Sequence, residues 1–280
     1  MLIMTKQWHG SLNLIYGKQN NHTQILASKN QAPLKIQRPF YPEGNEVCHS
    51  VILHTAGGVV GGDRLSINIE LQPTTHALIT TAAASKIYRS NGQLAQQNIS
   101  INLDSESCLE WFPQPTILFN GAEYRQDLKV HLGTETSWMS WEIIRFGRSA
   151  RGEKFLAGNW RSYTEVWQEN YPIWIDRQWL KGGSEMVNSF LGLADNSVVG
   201  TFIFVGQPVT AEVVTKVRDL WQSLGIDMSG EAGVTRIPKG MICRYCGKSI
   251  INVKNWFNLV WHFLRLFYLK RPSCSPRVWS

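Results

Sequence analysis

The chain has 280 residues, of which 43% are hydrophobic and 18% are charged, a composition typical of a folded globular protein and not of a disordered one. The net charge of +7 comes from Lys and Arg residues that are scattered along the chain, which argues against a nucleic-acid-binding protein and is compatible with an acidic protein partner. Twelve tryptophans predict wide apolar surfaces in a core, an interface, or both.

Export and membrane insertion are not predicted. The residues before Trp8 contain no apolar run long enough for a signal peptide. The most apolar stretch, residues 256–269, contains His262 and Arg265 and is short for a bilayer span. Five cysteines fit reduced thiols better than a disulfide framework. We therefore expect a single domain over residues 1–280 in the cytoplasm.

The first hundred residues predict a series of short strands. Residues 12–16 form the first candidate, and residues 33–39, which are bounded by prolines, predict a short strand at a sheet edge. Apolar and polar side chains alternate over residues 67–71, the period-two pattern of a half-buried strand, and residues 77–81 and 98–103 are further strand candidates. This density of short strands predicts a mainly β protein with stacked or rolled antiparallel sheets.

A glycine-rich corner lies between two of these strands, at residues 54–65. Two glycine pairs, Gly57-Gly58 and Gly61-Gly62, bracket two valines, and Asp63 follows at once. Such a loop does not fit a phosphate-binding motif, because it leads into a strand and lacks the required lysine. Two interpretations remain: a packing corner that caps the β-structure, or a turn that places Asp63 next to something buried.

Three later segments contain charged residues or prolines that bear on their structure. Residues 80–90 combine small residues with Lys86 and Arg89, which are either paired with carboxylates or solvated. Two prolines within residues 109–119 predict a kinked or edge strand. Residues 145–153 gather three arginines around glycines and Glu153, as a solvated loop or as one that brings Glu153 toward Asp63.

Two helices are predicted in the last third of the chain. Residues 210–224 have a capping Thr210, a terminal Gly225 and apolar residues at helical spacing. Residues 253–269 are apolar on nearly every side, which predicts burial either in the chain's own core or against another protein. Together these elements define the fold class: mainly β with two α-helices, at about 210–224 and 253–269.

Sequence motifs for catalysis are missing from the chain. Lys248 and Ser249 follow a glycine, but the upstream glycine of a nucleotide-binding loop is misplaced. Cys243 and Cys246 form a lone Cys-x-x-Cys without a second ligand pair, which does not favour a zinc site. The histidines are dispersed. The residues alone therefore predict a β-rich binding protein and not an enzyme.

Six sequence blocks resemble a known family. Residues 33–44 (Pro-Leu-Lys-Ile-Gln-Arg-Pro-Phe-Tyr-Pro-Glu-Gly) and 56–65 (Ala-Gly-Gly-Val-Val-Gly-Gly-Asp-Arg-Leu) resemble the urease accessory protein UreD, also called UreH. Residues 85–90, 109–117 and 276–279 match its later blocks, as do residues 147–148 with 151–153. The matches run in order from about Trp8 to Trp279. Cys246 is a departure, because the family more often has another residue before this glycine.

The resemblance implies a non-enzymatic chaperone of urease maturation. UreD-type proteins bind the urease apoprotein and UreF, and UreF recruits the GTPase UreG. The assembly inserts nickel into the urease active site, and nickel is thought to pass through an internal channel in UreD. We therefore expect transient nickel, no tightly bound cofactor, and neither nucleic acid nor membrane as a partner. The alternative is a pure adaptor without a direct metal role.

Candidate site residues follow from this resemblance. Asp63 is the first candidate for the wall of a nickel channel, with Glu142 and Glu153 as further carboxylates and Ser85 as a polar contact. The glycines of the corner would shape the loop. The apolar terminal helix would contact partners, through Trp256, Trp261, Phe263 and Phe267.

Overall fold

The computed structural model describes residues 8–148, 151–225 and 230–279. The segment before Trp8 that was considered for a leader lies outside the described residues, as do residues 149 and 150 of the arginine-rich loop. In the described part, the chain forms two stacked β-sheets, and two α-helices cover one of them. The mainly β class with two helices is confirmed.

The strands are short and follow one another closely along the chain. In chain order they are β1 His9–Gln19, β2 His22–Gln31, β3 Leu34–Ile36, β4 Val47–His54, β5 Arg64–Leu71, β6 His76–Thr81, β7 Ser85–Ile87, β8 Ala95–Leu103, β9 Cys108–Phe112, β10 Thr116–Leu118, β11 Ala122–Leu132, β12 Ser137–Phe146, β13 Gly158–Gln168, β14 Tyr171–Lys181, β15 Val198–Val205, β16 Gly230–Ile237 and β17 Gly240–Gly247.

The middle of the chain winds as a coil between the two sheets. One sheet has the order β14-β13-β11-β8-β5-β1-β2, and the other has β16-β17-β15-β12-β9-β6-β4-β3 with β7 and β10 attached through β12. From β4 to β13 the long strands alternate between the sheets, so neighbours within each sheet are parallel. The expected antiparallel pairing is therefore confined to the ends of the sheets.

The proline-bounded strand was placed correctly, since β3 is the edge strand of the larger sheet. The prolines within 109–119 also divide β9 from β10, as their missing N–H groups require. The alternating pattern of β5 puts Leu65, Ile67, Ile69 and Leu71 in the core between the sheets. Alternation determines which face is buried, but it does not determine strand direction, which explains the difference from the antiparallel prediction.

The helices close a second core on the outer face of the larger sheet. Helix α1 (Ala211–Gln222) begins at the Thr210 cap, whose hydroxyl accepts a hydrogen bond from the Val213 N–H. Helix α2 (Ile250–Leu264) begins three residues earlier than predicted because Ser249 caps it, and it continues as a π-helical turn over Arg265–Leu269. Among the described residues, no helix is long and apolar enough to cross a bilayer.

Candidate functional site

Polar side chains interrupt the apolar core between the sheets. In β8, the inward positions are Ala95, Gln97, Ile99, Ile101 and Leu103, so that one amide stands in an otherwise apolar series. The same break occurs at the inward positions of the other strands: Thr81 in β6, Gln126 in β11, Glu142 in β12, Ser162 in β13, Asp176 and Gln178 in β14, and Thr201 in β15. An inward polar residue needs a partner or water, since leaving it unpaired in a core is costly.

Strand register brings these breaks to one level of the coil. In the smaller sheet, Gln126 is paired with Gln97 on one side and with Ser162 on the other, and Ser162 is paired with Gln178. In the larger sheet, Glu142 is opposite Thr201. The two rows face each other across the interior, so the winding of the chain builds a polar layer that no single segment contains.

A narrow cavity runs through this polar layer, with a volume of about 60 Å³. Tryptophans from β9, β12 and β14 form its apolar walls, and its polar walls come from the two rows just described except for Ser162, which lies behind the lining. Glu142 and Asp176 are its two carboxylates. Of the described residues that line it, none is a histidine or a cysteine. The polar lining therefore offers only oxygen and amide groups.

Glu142 of this cavity is held by hydrogen bonds from two side chains. Its carboxylate accepts hydrogen bonds from the Ser162 hydroxyl at 2.8 and 2.9 Å and from the Gln126 amide at 2.6 Å. Burial raises its pKa from 4.5 to about 7, the nearby charge of Asp176 adds to the increase, and the Ser162 hydrogen bond and the charge of Arg244 oppose it.

The raised pKa means that the folded chain holds a proton on Glu142 where the unfolded chain has released it. Between about pH 4.5 and 7 the folded state is the one that binds more protons, so stability falls as the pH rises through this window. Above it, the ionised carboxylate lies in the interior at a cost in stability. A cation beside Glu142 would offset that cost.

The glycine-rich corner borders a second cavity, with a volume of about 250 Å³. Residues 55–63 carry the chain from β4 in the larger sheet to β5 in the smaller one. Gly58 must be small, because a Cβ there would lie 2.4 Å from the Tyr88 ring. Four residues line both this cavity and the inner one: Ile67, Thr81, Ser85 and Gln97. Ser85 thus lies where the space beside the corner meets the polar layer.

Asp63 is buried at the end of the corner, with 1% of its surface exposed. Its Oδ1 accepts a hydrogen bond from the Trp8 N–H at 2.9 Å, and its Oδ2 accepts one from the Val60 N–H at 3.0 Å. In the described part of the chain it is not among the residues that line either cavity. Both carboxylate oxygens therefore bind backbone N–H groups, one just before β1 and one in the corner, and a metal role for Asp63 stays a prediction.

Glu153 is engaged within its own loop. It forms an ion pair with Arg148 and accepts a hydrogen bond from the Asn120 N–H at 3.0 Å. The Arg148 side chain lowers the pKa of this carboxyl. It lines a third cavity together with Arg145, Lys154 and Asp195, apart from the polar layer. The structure thus places Glu142 in the inner cavity, whereas Asp63 and Glu153 lie elsewhere.

The aromatic residues of the terminal helix divide into two groups. Trp256 and Trp261 are 0% and 1% exposed, packed in the chain's own core against the larger sheet, so as placed they offer no surface to a partner. The alternative of burial in the chain's own core applies to them, because the outer face of the sheet needs an apolar cover. Phe263 is half-buried and Phe267 is 45% exposed, and partner contact through these two stays a prediction.

A buried ion network lies below the end of α2, and the sequence analysis missed it. Arg265 is fully buried, with its guanidinium 3.2 Å from Glu110 and 2.6 Å from Glu43. The Trp261 indole donates to Glu110 at 3.1 Å, and His49 lies 2.7 Å from Glu43. The sequence signal for this network was a charged residue inside each of two apolar segments: Glu110 in residues 109–112 and Arg265 in residues 256–269. Its partners were not visible, because they come from distant parts of the chain.

The Cys-x-x-Cys pair does not form a chelate. Its two thiols are three residues apart on β17, and therefore point to opposite faces of the strand. Cys243 is buried in the core below the helices, whereas Cys246 is half-buried beside Leu193. Both are free thiols.

Comparisons with known proteins identify the family of this chain. The model of the family described as UreD urease accessory protein matches residues 9–280. The chain belongs to the UreD family. Among the family's members, the urease accessory protein UreD of Nostoc punctiforme is 58% identical over 273 residues, which cover 98% of this chain and 96% of the relative.

Two further relatives are similar along nearly their whole length. The UreD protein of Trichormus variabilis is 56% identical over 98% of this chain and 96% of its own length. That of Acaryochloris marina is 54% identical over 97% of this chain and 95% of its own length. The sequence resemblance to UreD is thereby confirmed, and the chain is a urease accessory protein.

Proposed function

We propose that this chain passes nickel ions through its inter-sheet cavity during the maturation of urease. The observation that carries the proposal is the polar layer at Glu142, which meets the cavity beside the glycine corner through Thr81, Ser85 and Gln97. A urease accessory role supplies the context, because the metal centre of urease is what such a protein would help to build.

The chemistry of the lining suits transfer better than storage. Nickel is held firmly by imidazole and thiolate ligands, whereas carboxylate and amide oxygens bind it less tightly. Glu142 and Asp176 supply negative charge, and the serines, threonines and glutamines supply neutral oxygens. A cation that enters would displace the proton of Glu142 and would leave again without breaking a thiolate bond. The nickel is cargo on this path, not a resident cofactor.

The partners of this step are the urease apoprotein and UreF, with the GTPase UreG recruited through UreF. A passage has a function only if both of its ends meet other proteins, so the proposal requires the chain to be part of a complex. The exposed apolar residues of β14 and the loop after it are compatible with such contacts, including Trp179, Phe190 and Leu191 at 62%, 84% and 87% exposure.

Replacement of Glu142 by glutamine tests the passage. In Glu142→Gln, the rate at which apo-urease is activated at limiting nickel should fall by roughly tenfold, because an amide replaces a charge-assisted interaction worth about 1–3 kcal/mol. The complex with urease should still assemble. Nickel per urease active site and urease activity, followed over time, are the measurements.

The matched control is Glu70→Gln, which makes the same chemical change on the exposed outer face of β5. Glu70→Gln should activate urease at the wild-type rate. If Glu142→Gln also delivers nickel at the wild-type rate, the metal does not pass this carboxylate, and the passage is refuted.

A second candidate function, the pure adaptor, is favoured by the same exposed apolar surface. An adaptor would hold the maturation proteins together while the metal moves by another route. In that case Glu142→Gln would be silent, and only substitutions on the exposed surface would impair urease activation.

A further inference from the structure

Three donors to transition metals converge at one end of the larger sheet. The side chains of His76, Cys108 and Glu110 place a ring nitrogen, a sulfur and a carboxylate oxygen within 4.8 Å of one another. The His76 Nε2 atom is 3.2 Å from the Glu110 Oε1 atom. This group lies on the outer face of the sheet, below the end of α2, and is separate from the inter-sheet cavity.

Strand register explains why the three meet. His76 is the first residue of β6 and Cys108 the first of β9, and the two are direct partners in the parallel pair. Glu110 follows Cys108 by two residues, and therefore points to the same face of the sheet. A cross-strand pair with a third ligand two residues away thus forms a compact triangle on a rigid element. The sequence does not reveal this triangle, because His76 and Cys108 are 32 positions apart in the chain.

The surrounding charge favours a cation. Arg265 contributes one positive charge, and Glu43 and Glu110 contribute two negative charges, so one negative charge is in excess when His49, 2.7 Å from Glu43, is uncharged. In a buried network such an excess must be compensated. A divalent cation bound with the Cys108 thiolate adds one net positive charge and brings the sum to zero.

We propose that His76, Cys108 and Glu110 form a binding site for one divalent first-row transition metal, of the zinc or nickel type. One imidazole, one thiolate and one carboxylate are a mixed set that such borderline cations accept. Water would complete four-fold coordination. The site is distinct from the proposed passage and does not depend on it.

The remaining atoms of the pocket are compatible with this assignment. A carboxylate has about four lone-pair positions, so Glu110 can keep Arg265 and Trp261 and still accept a metal. In a tetrahedral site, ligand atoms lie roughly 3.3–3.8 Å apart, so the triangle needs to contract by about 1 Å. The His76 side chain is 15% exposed and provides the route of entry. Among the described residues, Nη1 of Arg265 has no hydrogen-bond partner, and a metal-bound water would be an acceptor for it.

Cobalt(II) titration of the chelator-treated full chain, in the form in which it is purified, tests the site. Cobalt reports on its ligands, since a thiolate ligand gives a charge-transfer band in the near ultraviolet. We expect one equivalent to bind with this band, and zinc and nickel each to remove it by competition. In Cys108→Ser the band should disappear, and cobalt affinity should fall by more than about tenfold.

Cys243→Ser is the matched control, because Cys243 is another buried thiol on the outer face of the larger sheet and is not part of the triangle. It should keep the full band. His76→Gln, which retains the thiol, should lower the affinity and serves as the test if Cys108→Ser fails to fold. A band that persists in Cys108→Ser, or the absence of any thiolate band in the wild type, would overturn the site. Glu142→Gln should leave the band unchanged, so the metal site and the nickel passage can be refuted independently of each other.

Discussion

Asp63 is a buried carboxylate and Glu142 a half-buried one, and their surroundings give them different roles. The two oxygens of Asp63 accept backbone hydrogen bonds from Trp8 and Val60, which fixes the chain where it crosses from one sheet to the other. Glu142 instead accepts hydrogen bonds from side chains and lines a cavity. The hydrogen-bond partners of each acid therefore indicate structure for Asp63 and chemistry for Glu142.

We predict that Asp63→Asn destabilises the fold by about 1–3 kcal/mol, because the amide nitrogen of Asn cannot accept one of the two backbone hydrogen bonds. The measurement is urea unfolding followed by tryptophan fluorescence. Asp104→Asn is the control, since Asp104 is exposed and accepts a hydrogen bond from the adjacent Ser105 N–H. An Asp63→Asn chain of wild-type stability that delivers less nickel would instead support the role of Asp63 in the passage.

Single residues also mark the limit of prediction from sequence. The glycines around Val59 and Val60 correctly indicate a constrained corner, because close approach and unusual backbone angles require glycine. The sequence did not distinguish the structural role of Asp63 from the chemical role of Glu142. Both depend on partners from other strands, and a side chain's neighbours across a sheet are fixed by register, which one sequence does not specify.

Among the elements, α2 depends on a charged residue as well as on its apolar face. Its tryptophans cover the larger sheet, and Arg265 at its end joins Glu43 and Glu110 below it. Helical spacing and capping residues predicted both helices to within a few residues, since these signals are local. The π-helical turn and the ion network escaped prediction, because the Glu110 carboxylate that Arg265 meets lies far away in the sequence.

Arg265→Met should destabilise the chain by about 3–5 kcal/mol, because two carboxylates would lose a buried cationic partner. Arg271→Met is the matched control: Arg271 pairs with Glu46, which is 66% exposed, and such a pair is worth about 1 kcal/mol or less. Urea unfolding and amide hydrogen exchange in α2 are the measurements. Equal losses in the two variants would mean that the buried network does not hold the helix in place.

At the scale of the described molecule, a central coil of parallel strands is flanked by antiparallel pairs at the sheet ends, and two helices cover one sheet. Composition and alternation predicted stacked sheets, and the family resemblance covered nearly the whole chain, but neither predicted the winding. The winding leaves a set of large apolar side chains exposed on the smaller sheet and the adjoining loops: Leu156, Trp179, Phe190 and Leu191. An exposed apolar group of this size is typical of a surface that meets another protein.

The double variant Phe190→Ser/Leu191→Ser should fold with a stability within about 0.5 kcal/mol of the wild type, since both side chains are exposed. It should nevertheless recover less UreF or urease when the maturation proteins are co-expressed and purified together. Leu94→Ser, at a position 46% exposed, is the control and should recover the full amount. Unchanged recovery by the double variant would place the partner surfaces elsewhere.

The alignment of inward polar residues has a consequence for how the chain can vary. Gln97, Gln126 and Ser162 reach the same level of the coil only because three separate strands keep their registers. Loss of one residue within β11 would turn its side chains beyond that point inside out. Insertions and deletions in this protein should therefore collect in the loops, while strand lengths stay fixed across its relatives.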